Sequence, residues 1–170
     1  MAPKRILIIG GPASGKSTLA LRLARELGLP SIALDRYFWD DQVEHFGVRR
    51  EPANRDRLLA AAVAENAWVM EGVYWNWTQA AFERAEHIVF LDRPAWLRHW
   101  RLVKRHFRRR LGIEGSSHKE SLRGMITTAA WNQRWNRDNR PKVLERLERH
   151  RDKLVVLRYG ELLQWDQNPR

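Results

Sequence analysis

The chain contains no cysteine, which excludes disulfide cross-links and thiolate metal sites. It has no apolar run long enough to cross a bilayer. Its opening residues, MAPKRILIIGG, lead straight into a glycine-rich loop, which is not the layout of a secretory leader. From these absences we expect a cytoplasmic, soluble protein. Acidic residues are the minority charge: 20 Asp and Glu stand against 31 Lys and Arg, for a formal net charge of +11. That excess suits a polyanionic partner, a strongly phosphorylated ligand, or a solvated arginine-rich surface. Arginine outnumbers lysine, favouring planar, bidentate contacts to phosphate. No linker rich in Gly, Ser or Pro divides the 170 residues and no internal repeat appears. One domain spanning 1–170 is the expected organisation. His45, His87, His99, His106, His118 and His150 show no metal-ligand spacing and no nucleophile pairing, and read as solvated or capping side chains.

The informative segment is GGPASGKST at residues 10–18, which follows the apolar run Ile6-Leu7-Ile8-Ile9 without a break. Strand, glycine loop and helix in that order make a phosphate-binding P-loop. The glycines let the backbone bend so that successive N–H groups point inward at phosphate oxygens. Gly10, Gly11, Ala13, Ser14, Gly15, Lys16, Ser17 and Thr18 form the expected cradle. Lys16 reaches the β and γ phosphates, Ser17 offers its hydroxyl to Mg²⁺, and the helix N-terminus adds its positive dipole. Leu19, Leu23 and Leu27 supply the packed face that separates this pattern from a chance glycine turn.

Strand-like runs recur at 5–9, 31–34, 68–70, 87–91 and 154–157. Helical stretches fit at 16–27, 54–65, 77–85, 94–110 and 141–150, with Pro94 and Pro141 suited to first turns. The alternation predicts an α/β protein, a three-layer P-loop sandwich around a five-stranded parallel sheet. Two segments stand outside that core. One, polar and aromatic, runs from Tyr37 to Pro52; the other, about 111–139, carries several glycines among charges. Both follow strands and would lie at the carboxyl edge of the sheet, where open α/β folds bind ligands. Guanine-reading and ABC-type signatures are lacking, and the chain is too short for a motor or a AAA assembly domain.

The pieces GGPASGKSTLA, ALDRYFW, WVMEGVYW, IVFLDRPAWLRHWRLVKR and WNQRWNRDNRPKVLERL together resemble a small P-loop kinase of the adenylate kinase and shikimate kinase type. They are most similar to the bacterial topology modulation (adenylate kinase-related) proteins. The resemblance implies a nucleoside monophosphate kinase-like fold with strand order 2-3-1-4-5, an acceptor-binding insertion at about 37–66 and a lid at about 111–139. It also implies ATP and Mg²⁺ as cofactors and phosphoryl transfer to a nucleotide or nucleotide-like small molecule. The basic charge leaves a different class open: a nucleic-acid-associated ATP-binding protein that influences DNA topology.

Phosphoryl transfer needs phosphates held in register and their charge neutralised. By the 100° rule, Trp96, Trp100, Val103, Phe107 and Leu111 share one helical face and Arg98, Arg101, Arg105, Arg108 and Arg109 the other. The aromatic face is expected to pack and the basic face to stay free for anions. Arg98, Arg108, Arg109 and Arg110 read as solvated surface. Arg101 and Arg105 fall where the resembling kinases place an arginine clamp at the lid entrance. Arg134, Arg137 and Arg140 lie at the lid's return, with Arg140 the best match to a second clamp. Asp35 ends the second strand and has two compatible roles, contact with the acceptor, whose proton it would take if that is a hydroxyl, and capping of a helix. Glu71-Gly72 stands where such kinases usually carry the Asp-Gly that orients Mg²⁺; the glutamate departs from that pattern. Asp92 resembles a Walker B ending but reads as fold support. Trp75 and Trp77 either stack on an acceptor ring or pack beneath the insertion, and the Tyr159-Gly160-Glu161 turn matches the adenine position of the resembling kinases.

Overall fold

The computed structural model describes residues 3–40, 47–110 and 130–161, without the side chains of 105, 106 and 108–110. Strands β1 (Arg5–Gly10), β2 (Ser31–Ala33), β3 (Trp68–Gly72), β4 (His87–Leu91) and β5 (Leu154–Leu157) form one sheet in the order β2-β3-β1-β4-β5. Every pairing is parallel, as the alternation of elements requires. The helices are α1 (Lys16–Leu27), α2 (Asp35–Phe38), α3 (Pro52–Ala64), α4 (Gln79–Arg84), α5 (Ala95–Arg110) and α6 (Arg140–Glu148).

The central strand explains the layering. Ile6 and Ile8 point to one side of the sheet, where Ala20, Leu23 and Ala24 of α1 cover them. Leu7 and Ile9 point to the other, into a core with Leu59 and Val63 of α3, Phe82 of α4 and Val143 and Leu147 of α6. A strand buried on both faces reads as a continuous apolar run, which is why β1 carries no polar alternation. Helix α1 has the bounds expected of it, because left-handed glycines bracket it: Gly15 at φ 99° and Gly28 at φ 66°.

Two boundaries move for local reasons. Helix α3 starts at Pro52 rather than residue 54, because the Glu51 side chain accepts from the N–H groups of Ala53 and Asn54 and Pro52 fills the first turn. Pro94 stands just before α5, its carbonyl accepting from Arg98 N–H at 3.3 Å. Within the expected insertion, α2 turns the chain at once, and an isolated antiparallel bridge joins Trp39 to Arg49. Most of the expected lid, residues 111–129, lies outside the described residues. Its return is helical, with a π turn over Trp135–Asn139 in which Arg140 N–H donates five residues back to Trp135 O. Among the described residues no helix is long and apolar enough to cross a membrane.

Candidate active site

At the carboxyl end of β1 the backbone folds over itself before entering α1. Ala13 (φ 56°) and Gly15 (φ 99°) are left-handed, and Ser14 N–H donates to Gly11 O at 3.2 Å. Lys16 is buried, and its Nζ donates to the same Gly11 carbonyl at 3.0 Å, so the ammonium lies across the mouth of the loop. Thr18 is exposed in the first turn of α1.

Ser17 Oγ donates to Glu71 Oε1 at 2.8 Å. The sheet register makes this contact, since Glu71 on β3 stands beside Ile8 of β1, two residues before the loop. Burial pushes the Glu71 carboxyl above the usual carboxylate range; Lys16 and the Ser17 bond pull it back, and the nearby charge of Asp35 pushes it up again. A hydroxyl and a carboxylate in contact are the hard oxygen donors that Mg²⁺ takes, directly or through its waters. Glu71 therefore fits the metal-organising place despite its longer stem.

Helix α5 corrects the sequence reading. Its aromatic face is turned out: Trp96 and Trp100 are each 60% exposed, and Val103 and Phe107 are exposed as well. The face turned in carries Leu97, Arg98, Arg101 and Leu102, of which Leu97, Arg98 and Leu102 are buried. Amphipathic spacing defines two faces without saying which one the fold needs. Here the neighbour is the glycine loop after β1, and the long apolar stems of the arginines fill the space beside it. Arg98 is thus no solvated surface residue, and two of the helix's cations point at the P-loop rather than at solvent. Arg101 Nη1 donates to Ser14 O at 2.7 Å. The side chain of Arg105, the other half of the expected clamp, lies outside the described residues.

Arg140 takes a different position from a free clamp. Its Nε and Nη2 donate to the two oxygens of Asp92 at 2.9 and 2.7 Å, tying the start of α6 to the end of β4. The bond from Arg140 is the main reason the Asp92 carboxyl sits below the usual range. Asp92 thus ties β4 to α6, in keeping with the fold support that the resemblance implied for it. Arg134 and Arg137 are exposed, and Arg137 pairs with Asp138.

Across from the loop, Asp35 opens α2 but does not cap it; Leu34 occupies the cap position. Its carboxylate instead accepts from the Tyr74 hydroxyl at 2.7 Å. Burial and the neighbouring carboxylates of Asp35 and Glu71 raise the Tyr74 phenol, so it stays a donor. Around this pair stands an aromatic wall. The Phe38 ring lies 4.7 Å from Tyr74 and 6.3 Å from Trp77, with Arg49 over Phe38 and Arg55 over Trp77 at 5.6 and 4.7 Å. Trp39 and Trp131 face each other nearly parallel, their centroids 6.5 Å apart, so the segment after α2 meets the helical segment that precedes Trp135. Trp77 packs against Phe38, Tyr74 and Arg55, whereas Trp75 turns toward Lys142 of α6. Tyr159 is exposed and meets Trp96 edge to face at 5.5 Å.

Sequence reasoning did not single out Tyr74, Trp135 or Asn136. Arg98 had a signal: 98, 101 and 105 are spaced i, i+3, i+7, one helical face.

No protein-family profile matches the chain, and no curated protein matches it in sequence. Solved structures do match. A shikimate kinase from Acinetobacter baumannii, in complex with shikimate, aligns over 96% of this chain and 86% of its own at TM-score 0.56 and 14% identity. A gluconokinase from Sinorhizobium meliloti 1021 aligns over 94% and 85% at TM-score 0.53 and 19% identity. A sugar kinase from Janibacter sp. HTCC2649 covers 95% and 88% at TM-score 0.50 and 16% identity. At these identities the likeness is one of fold: the chain has the three-layer architecture of small P-loop kinases.

Proposed function

We propose that the protein is a Mg²⁺-ATP-dependent kinase that transfers the γ-phosphoryl group to a nucleotide-like small molecule. The observation that carries this reading is the convergence at one sheet edge of Lys16, the Ser17–Glu71 pair and Arg101 with the Asp35–Tyr74 pair opposite. The kinase neighbours support the donor half of the reading.

The loop amides, Lys16 and the N-terminus of α1 bind and orient the phosphate chain. Mg²⁺, held through Ser17 and Glu71, would neutralise phosphate charge. Arg101, anchored over Ser14, supplies a further cation against the charge spread over the transferring group. On the acceptor side, Tyr74 fixes one oxygen of Asp35 and leaves the other to accept the proton of an attacking hydroxyl. A phosphate acceptor is already anionic and needs no base. The aromatic wall of Phe38, Tyr74 and Trp77 suits a ring-bearing acceptor.

The test is ADP release from Mg²⁺-ATP by the full chain against nucleoside monophosphates, nucleosides and sugar acids. At least one acceptor should raise ADP formation well above the no-acceptor control. No rise with any of the three classes defeats the small-molecule kinase reading.

A further inference from the structure

Arg98 is 1% exposed, an unusual place for a guanidinium. Its Nη2 donates to Asn136 Oδ1, yet Nε and Nη1 are buried with no hydrogen-bond partner among the described residues. The same is true of both carboxamide atoms of Asn132, which is fully buried one helical turn before Asn136. Burial pushes the Arg98 guanidinium down to about 10, Asp92 opposing the fall and Arg140 adding to it, so the side chain remains a cation at neutral pH. Arg98 therefore carries unused N–H donors on two nitrogens around one fixed positive charge, with Asn132 one turn along the helix from its partner Asn136. Water-excluded donors in that state are costly unless an acceptor arrives.

Its place in the fold selects the acceptor. The guanidinium and the Trp135 ring press against Gly11 of the P-loop: a Cβ there would collide with Arg98 Nη1 and lie 2.8 Å from Trp135 Cδ1 and Nε1. Gly11 is also where Lys16 Nζ rests, on the carbonyl at 3.0 Å. The P-loop lysine reaches the outer phosphates, whereas the loop amides cradle the inner ones. Arg98 thus approaches the outer end of the phosphate chain, and Arg101, on the same helix face, approaches Ser14 and Gly15 farther along the loop.

We infer that Arg98, assisted by Asn132, forms a binding site for the terminal phosphoryl group of the nucleoside triphosphate. The inference rests on the kinase reading above, in that it requires a nucleotide in the P-loop. Helix α5 then brings its two inward arginines to successive parts of one phosphate chain, and the lid return contributes Asn132.

Calorimetric titration of the full chain with Mg²⁺-ATP and Mg²⁺-ADP tests it. Arg98→Met should weaken ATP by about tenfold or more, the scale of a lost charge-assisted hydrogen bond, and change ADP by less than about threefold. Arg98→Lys should recover part of the difference. Should Arg98→Met fail to fold, Asn132→Asp serves: its carboxylate would pair with Arg98, raise Tm and repel the terminal phosphate, so ATP weakens and ADP does not. An ATP-to-ADP affinity ratio unchanged from wild type in the folded variants overturns this inference alone. Wild-type protein that binds neither nucleotide overturns the kinase reading as well.

Discussion

The P-loop and helix α5 lie against each other, yet they are specified in opposite ways. In the loop the main chain does the work, so glycine spacing predicts both the shape and the bounds of α1 (Lys16–Leu27). In α5 the side chains do the work, and the same two-faced pattern would serve with either face inward. Its inward face carries Arg98 and Arg101, while Trp96 and Trp100 stay outside. A backbone motif is readable from local spacing, but the direction of an amphipathic helix depends on what the fold puts beside it.

Substitutions can break this contrast in order of expected size. Lys16→Ala should lower phosphoryl-transfer turnover by about 10²–10³-fold or more with the fold intact, the scale of removing one preorganised charge-stabilising group. Circular dichroism and steady-state ADP release check both halves of the statement. Arg101→Ala should cost about 10²-fold in turnover on the same reasoning. Its outward neighbour Trp100→Ala should leave turnover near wild type and shift stability by less than about 0.5 kcal/mol. Equal effects from these two would cancel the distinction between the faces.

Glu71 separates activity from stability. Because its carboxyl titrates above the usual range, the Mg²⁺-dependent rate should fall as pH is lowered through a point higher than an ordinary carboxylate's. Glu71→Gln should flatten that limb and lower the rate. A carboxyl raised in the fold favours the folded state at low pH, and that contribution is lost as pH rises through its folded value. The neutral glutamine should therefore hold or raise Tm at neutral pH, a result that differential scanning calorimetry would read.

Asp92 gives the opposite sign and the smaller effect. Arg140 lowers its carboxyl, so its stabilisation is present above about pH 3.9, the unfolded value, and fades as pH falls through the folded one. Asp92→Asn should cost about 1 kcal/mol at neutral pH, discounted for the partial exposure of Arg140, and urea titration would resolve it.

Much of the fold is legible because each β-α repeat carries its own punctuation. Five apolar runs separated by helical stretches predict the parallel sheet, and the resemblance supplies the order found, β2-β3-β1-β4-β5. The donor side of the candidate site is legible for the same local reason. The rest depends on long-range partners. Tyr74 reaches Asp35 across 39 positions of sequence, and Arg98 reaches Asn136 across 38. The π turn at Trp135–Asn139 adds a residue to its turn, so 3.6-residue spacing cannot place the side chains beyond it. The pairing of Arg140 with Asp92 joins an expected phosphate clamp to an expected fold support across 48 positions.

Ala13 carries a consequence of its own. A residue with a Cβ held at φ 56° pays about 1–2 kcal/mol that glycine would not. Glycine there would bring back chain entropy worth roughly 0.5–1 kcal/mol, to be lost again whenever the loop is ordered. The alanine places that cost in the folding of the empty protein rather than in the capture of the ligand. The loop is in this sense set by its own sequence, and preorganisation of that kind lowers the ordering cost that binding of any anion there would carry.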